Sequence, residues 1–197
     1  MNADYAKRYQ KAETVANNIH TTIVHFSSFV EAYSKTVELY ERTKTFGKPY
    51  GLVVKGATGS GKTTVIEELK KEYKPVYLLE GDKYPVIFIS VPGSPDGKSL
   101  YRAILSKMGV KASKQATESM LREQAVQLLI EAGTKLLVID EVQHFVEKEA
   151  KKKASAIADC FKTLMNEARV SIAFFGLPYL TQLLDKNSQL KRRFSET

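Results

Sequence analysis

Apolar residues along this chain are grouped in two ways that alternate. Short continuous runs occur at residues 50–55, 84–91, 135–139 and 170–175. Between them lie segments in which apolar residues recur every three or four positions: 26–42, 63–73, 99–108, 117–132, and one ending near Ala168 whose inward face is Ile157, Cys160, Phe161, Leu164 and Met165. The first pattern suits strands covered on both faces, and the second suits amphipathic helices. Strands alternating with helices predict an α/β domain with a parallel sheet core flanked by helices. Gly109 and Gly133 mark two helix ends, and Ser27 or Ser28 is available to cap the first helix. A further apolar run at 76–79, followed by Glu80-Gly81-Asp82-Lys83, predicts a strand–turn–strand unit leading into 84–91. A short helix is expected over 179–184. Residues 1–22 lack a strong apolar face and are expected to form an arm or peripheral helix, leaving 23–197 as the core.

The junction between the first strand and the next helix carries a specific signal. Gly56-Ala57-Thr58-Gly59-Ser60-Gly61-Lys62-Thr63 is a complete G-x-x-x-x-G-K-[ST] phosphate-binding loop, preceded by a strand pattern and followed by a helical one. Its glycines let the backbone close on a pyrophosphate so that successive N–H groups point inward as an anion nest. The helix starting near Lys62 adds partial positive charge at the same place. Lys62 is expected to reach the β- and γ-phosphates of ATP and the Thr63 hydroxyl to ligate Mg²⁺, with Thr64 placed for a further phosphate contact.

The run at 135–139 ends in Asp140-Glu141. In a parallel sheet, ligand sites lie at the carboxyl ends of strands, so this acidic pair falls on the same edge as the phosphate loop. Asp140 is expected to hold Mg²⁺ through water, and Glu141 to orient or deprotonate the attacking water. The strand after the acidic pair suggests the class of phosphate-loop ATPases in which an additional strand separates the two nucleotide-binding elements and a glutamate is catalytic.

At 197 residues the chain is long enough for one sizeable core. A hydrophobic content of 43% with 26% charged residues is that of a globular protein. No apolar run approaches the roughly 18 residues of a membrane span, and the first residues lack the order of a signal peptide, so a cytoplasmic protein with no membrane partner is expected. The single cysteine, Cys160, excludes an intrachain disulfide and reads as a buried structural thiol. Thirty basic against twenty-two acidic residues, a net charge of +8, suggest a polyanionic partner.

The order of the phosphate loop, then Ile139-Asp140-Glu141-Val142-Gln143-His144, then Phe174-Phe175-Gly176, then Leu190-Lys191-Arg192-Arg193-Phe194 resembles the TniB/TnsC-type AAA+ ATPases of DNA transposition systems. The resemblance runs from about His20 to the end. It implies ATP-dependent, largely sequence-independent assembly of a ring or helical filament on double-stranded DNA, with ATP between protomers, and recruitment or activation of a transposase together with a target-selection protein. It also implies an arginine finger from a neighbouring protomer, matched here by Arg193 or else Arg192. Two departures stand out. Leu177, rather than a polar residue, follows the strand-end Gly176, and a leucine cannot hydrogen-bond water or phosphate, so hydrolysis is slow or uses another polar group. The chain is also expected to stop before the fifth core strand and the helical lid of a full AAA+ module.

Two basic clusters are placed for phosphates of DNA: Lys107, Lys111 and Lys114 around the turn between the two middle helices, and Lys151, Lys152 and Lys153 at a helix start. A solvated lysine face explains either cluster equally well. Gln143 and His144 read as a relay from nucleotide to DNA or as hydrogen-bonded packing, and Ile23-Val24-His25-Phe26 as an adenine contact or core packing. Alternative functions are a helicase-loader-like ATPase, an ATP-sensing module with little hydrolysis, and a small-molecule kinase, against which Glu141 beside Asp140 argues.

Overall fold

The first strand, β1 (Gly51–Lys55), is apolar on both of its faces, which decides the architecture: Val53 belongs to one core and Leu52 and Val54 to another. The same division recurs in β2 (Val86–Ser90), β3 (Leu136–Asp140) and β4 (Ser171–Gly176), where Ile87, Ile139 and Phe174 face one way and Val86, Val138 and Phe175 the other. The computed structural model describes residues 27–91, 96–145, 151–185 and 187–197, with the backbone alone at 151–154. Its strands pair in the order β2-β3-β4-β1-β5, every pair parallel. Strand β4 thus lies between the strand that feeds the phosphate loop and the strand that ends in Asp140, as the additional-strand class requires.

One face of the sheet is covered by α1 (Ser27–Phe46), through Phe29, Ala32, Leu39 and Tyr40, and by α2 (Lys62–Glu72), through Val65, Ile66 and Leu69. The other face carries α3 (Gly97–Lys107), α4 (Glu118–Glu131) and α5 (Lys151–Glu167). Asp96 caps α3 by accepting from the Ser99 N–H at 2.7 Å, and Thr117 caps α4 by accepting from that of Met120 at 3.3 Å. Phe161 meets Phe145 and Phe174 edge-on in the larger core, and full burial of a side chain of this size is worth about 1.5–3 kcal/mol. Cys160 is buried, as expected, and burial pushes its thiol up to about 11.

Three expectations are corrected. The chain does contain the fifth strand: β5 (Phe194–Glu196) pairs with β1 from Gly51 to Val53. Its three residues have no periodic signal of their own, and they are held by β1 and by the Phe194 ring, stacked on Phe174 at 4.8 Å. Residues 76–79 do not form a strand. Val76 makes an antiparallel bridge with Lys83, and Tyr77, Leu78 and Leu79 are exposed, because among the described residues no strand lies beside them to extend the pairing. The expected helix at 179–184 is split into a 3-10 turn (Pro178–Thr181) and α6 (Gln182–Asp185), followed by α7 (Ser188–Lys191). The expected arm at 1–22 and the segment 23–26 lie outside the described residues.

Candidate nucleotide-binding site

The phosphate loop leaves β1 at Lys55 and enters α2 at Lys62. Gly59 (φ 78°) and Gly61 (φ 86°) occupy the left-handed region that the tight turn needs and that a side chain would resist. Gly61 is the N-cap of α2 and among the described residues no side chain caps it, so the N–H groups of the first turn face the loop, where an anion satisfies them. Lys62 Nζ donates to the carbonyls of Gly56 (2.7 Å) and Ala57 (2.8 Å) and to Ser60 Oγ (3.3 Å). The ammonium is thereby held at the loop, where an incoming phosphate exchanges with these acceptors.

The acidic pair reaches the same place from β3. A cavity of about 270 Å³ is lined by the loop residues 58–64 together with Glu141, Gln143 and Leu177. Thr58, Gly59, Ser60, Gly61, Lys62, Thr63, Thr64 and Glu141 are therefore brought together. Asp140 stands behind them at the end of β3, half-buried, its Oδ1 accepting from the Glu141 N–H at 2.8 Å. Burial raises the Asp140 carboxyl above its ordinary value of 3.8. The hydrogen bond from the Glu141 amide opposes this, the Glu141 charge adds to it, and Lys62 and Lys70 oppose it. Glu141 has a positive φ of 59°, a conformation costing about 1–2 kcal/mol in a non-glycine residue. It opens a 3-10 turn (Val142–Phe145) in which His144 N donates to Glu141 O at 3.1 Å.

The expected Mg²⁺ ligands, Thr63 and Asp140, supply one hydroxyl and one carboxylate. Among the described residues no group of three or more His, Cys, Asp or Glu could hold a metal. Mg²⁺ bound with a nucleotide takes one or two carboxylates plus substrate phosphates and waters, so this donor set fits it.

A second cavity, of about 260 Å³, backs the loop from the α1 side and is lined by Phe29, Ala32, Val54, Gly56, Lys62 and Thr197 among others. Sequence reasoning missed it, because α1, the loop and the last residue meet only in the folded chain.

Residues 15–197 match the family described as Bacterial TniB protein. The chain belongs to the TniB family. No curated protein matches it. Among solved structures, this TniB-family chain is similar to Cdc6p from Pyrobaculum aerophilum (15% identity, TM-score 0.59, covering 89% of this chain and 46% of that one). It is also similar to the Aeropyrum pernix ORC2 protein in its ADP form (15%, 0.57, 85% and 46%) and to the Aeropyrum pernix ORC1 protein in complex with DNA (17%, 0.53, 84% and 44%). At such identities the likeness is one of fold, that of a phosphate-loop α/β domain. The TniB-family chain spans under half the length of these relatives.

The remaining expected site residues lie elsewhere in the TniB-family fold. Arg192 and Arg193 follow α7, and Arg193 O accepts from Gly51 N (2.7 Å) at the amino end of β1. The phosphate loop leaves the other end of that strand. Five residues of strand separate them, about 17 Å at ~3.3 Å per residue. Arg193 Nη1 donates to Asn166 Oδ1 at 2.8 Å. Lys107 ends α3, and Lys111 and Lys114 are exposed on the connection to α4. That connection is clamped by Arg102, which donates to the carbonyls of Ala112 (3.3 Å), Ser113 (2.7 Å) and Lys114 (3.1 Å), a tertiary contact with no sequence signal. Lys151, Lys152 and Lys153 form the first turn of α5, and their side chains lie outside the described residues.

Proposed function

We propose that this chain is an ATP-dependent regulator of DNA transposition that assembles on double-stranded DNA and recruits or activates a transposase. The observation that carries the nucleotide chemistry is a cavity in which residues 58–64 of the phosphate loop face Glu141, in a chain of the TniB family. In this reading the loop N–H groups and Lys62 hold the ATP phosphates, and Thr63 and Asp140 hold Mg²⁺, which screens the phosphate charge when bound. Glu141 orients and deprotonates the attacking water.

The arginine position supports a site shared between protomers. Arg193 and Arg192 lie at the opposite end of β1 from their own loop, a gap no arginine side chain spans, so either acts as a finger only towards the nucleotide of a neighbour. Assembly as a ring or helical filament brings them there. Lys107, Lys111, Lys114 and Lys151, Lys152, Lys153 contact DNA phosphates in this account, giving salt-dependent binding indifferent to sequence. A target-selection protein completes the partner set. Leu177 favours a second reading, an ATP sensor with little hydrolysis, because its side chain offers the phosphates neither donor nor acceptor.

Phosphate release with and without duplex DNA tests the proposal. Turnover that DNA stimulates, and that Glu141→Gln lowers to a small measurable residue while ATP still binds, is the expected result. Turnover unchanged by Glu141→Gln removes Glu141 from its role, and binding without turnover selects the sensor reading.

A further inference from the structure

The peptide between Gly176 and Leu177, at the end of β4, is engaged from both sides. Its carbonyl accepts from the Gly56 N–H of the phosphate loop at 3.1 Å. Its N–H donates to Gln143 Oε1 at 3.2 Å. From the other end of the same side chain, Gln143 Nε2 donates to Glu141 Oε2. One peptide and one side-chain amide therefore connect the loop to the carboxylate.

The surroundings leave this amide little freedom. Gln143 is 4% exposed, so water does not replace a lost partner, and a buried amide left unpaired costs about 1–3 kcal/mol. A Cβ on Gly176 would stand 2.6 Å from Gln143 Oε1 and 2.9 Å from Leu180 Cδ2, so the glycine is what admits the glutamine. Glu141 is fixed by its own positive φ and by the bond from its N–H to Asp140 Oδ1. His144 Nε2 lies 4.0 Å from the oxygen that Gln143 holds. With one bond accepted at Oε2, the carboxylate keeps lone pairs to accept a proton from water.

We propose that Gln143 is the positioning residue of this site: it sets the carboxylate of Glu141 and ties it to the phosphate loop through the Gly176–Leu177 peptide. The polar function that Leu177 cannot supply from its side chain is supplied by its backbone N–H, relayed through Gln143. A shift of the loop on nucleotide binding then moves Glu141 without a polar side chain at position 177. The inference rests on the reading of Glu141 as the group that activates water.

Steady-state ATP hydrolysis and nucleotide affinity are measured for the wild type, Glu141→Gln, Gln143→Met and the double variant. Methionine keeps the length of the side chain and removes both hydrogen bonds. Gln143→Met is expected to lower kcat about tenfold or more, to leave ATP affinity and KM within about twofold, and to have no further effect when Glu141 is already glutamine. Gly176→Ala, which pushes on Gln143 Oε1 from outside, is expected to show the same kcat loss and keeps the inference open to test if Gln143→Met fails to fold. Wild-type kcat in a folded Gln143→Met, or a loss that adds fully to that of Glu141→Gln, overturns the inference and leaves the ATPase reading intact. A wild type without turnover, or Glu141→Gln as fast as wild type, overturns both.

Discussion

Arg193 gives its carbonyl to the Gly51 N–H at 2.7 Å, at the end of β1 opposite the phosphate loop. The two residues are joined because β5 runs parallel to β1 in register, with Phe194 beside Gly51. The Phe194 ring lies over Gly51, where a Cβ would come within 2.3 Å of it. The arginines are thus fixed to the far edge of the sheet by packing.

This placement predicts complementation between two inactive proteins. Arg193→Ala is expected to bind ATP as wild type does and to lose turnover by about 100-fold or more in the assembled state. Mixed with Glu141→Gln, which keeps its arginine, it regains part of that turnover, because a mixed interface contains both an intact Glu141 and an intact arginine. Phosphate release from the mixture measures this, and no recovery there together with recovery for Arg192→Ala transfers the role to Arg192.

Asp140 predicts opposite effects on stability and on ligand binding. Its carboxyl is raised chiefly by burial, so protonation favours the native state. That contribution is fully present below its ordinary value of 3.8 and is lost as pH rises through the raised folded value. Asp140→Asn keeps an acceptor for the Glu141 N–H and removes the buried charge. Near pH 7 the nucleotide-free variant is expected to melt on the order of 2 °C above wild type, and the difference closes in acid. Its Mg²⁺-dependent ATP affinity falls. A lower melting temperature with unchanged affinity contradicts both halves.

Lys111 and Lys114 lie on a connection whose three carbonyls are held by Arg102, so reversing their charge leaves the fold in place. Lys111→Glu with Lys114→Glu is expected to weaken binding to any duplex sequence and to reduce the salt dependence of log K by about two, one for each DNA phosphate no longer neutralised. Fluorescence anisotropy over a salt series reads this directly. An unchanged slope returns both lysines to a solvated face.

The phosphate loop and the acidic pair were legible because each is a local pattern: glycines where the chain turns, and an apolar run that delivers two carboxylates. The parallel sheet followed from continuous apolar runs such as Leu136 to Ile139, buried on both faces. What escaped the sequence is made by tertiary contact. Three residues, Phe194 to Glu196, become a strand only because β1 and the Phe174 ring receive them. The apolar run Val76 to Leu79 has strand-like composition and, among the described residues, no strand partner beyond the bridge to Lys83. Gln143 was visible as a polar residue near Glu141, but its bond to Leu177 spans 34 positions and has no periodic trace. The Arg102 clamp reads as one more surface charge until the chain folds back on it.

The central claim, that nucleotide in the Gly56 to Thr63 loop drives assembly on DNA, is tested most directly by sedimentation of the protein with nonspecific duplex DNA, with ATP, with a non-hydrolysable analogue and without nucleotide. The account predicts large salt-sensitive complexes with either triphosphate, independent of DNA sequence, absent without nucleotide and absent for Lys62→Ala. Equal sedimentation without nucleotide, or for Lys62→Ala, contradicts it.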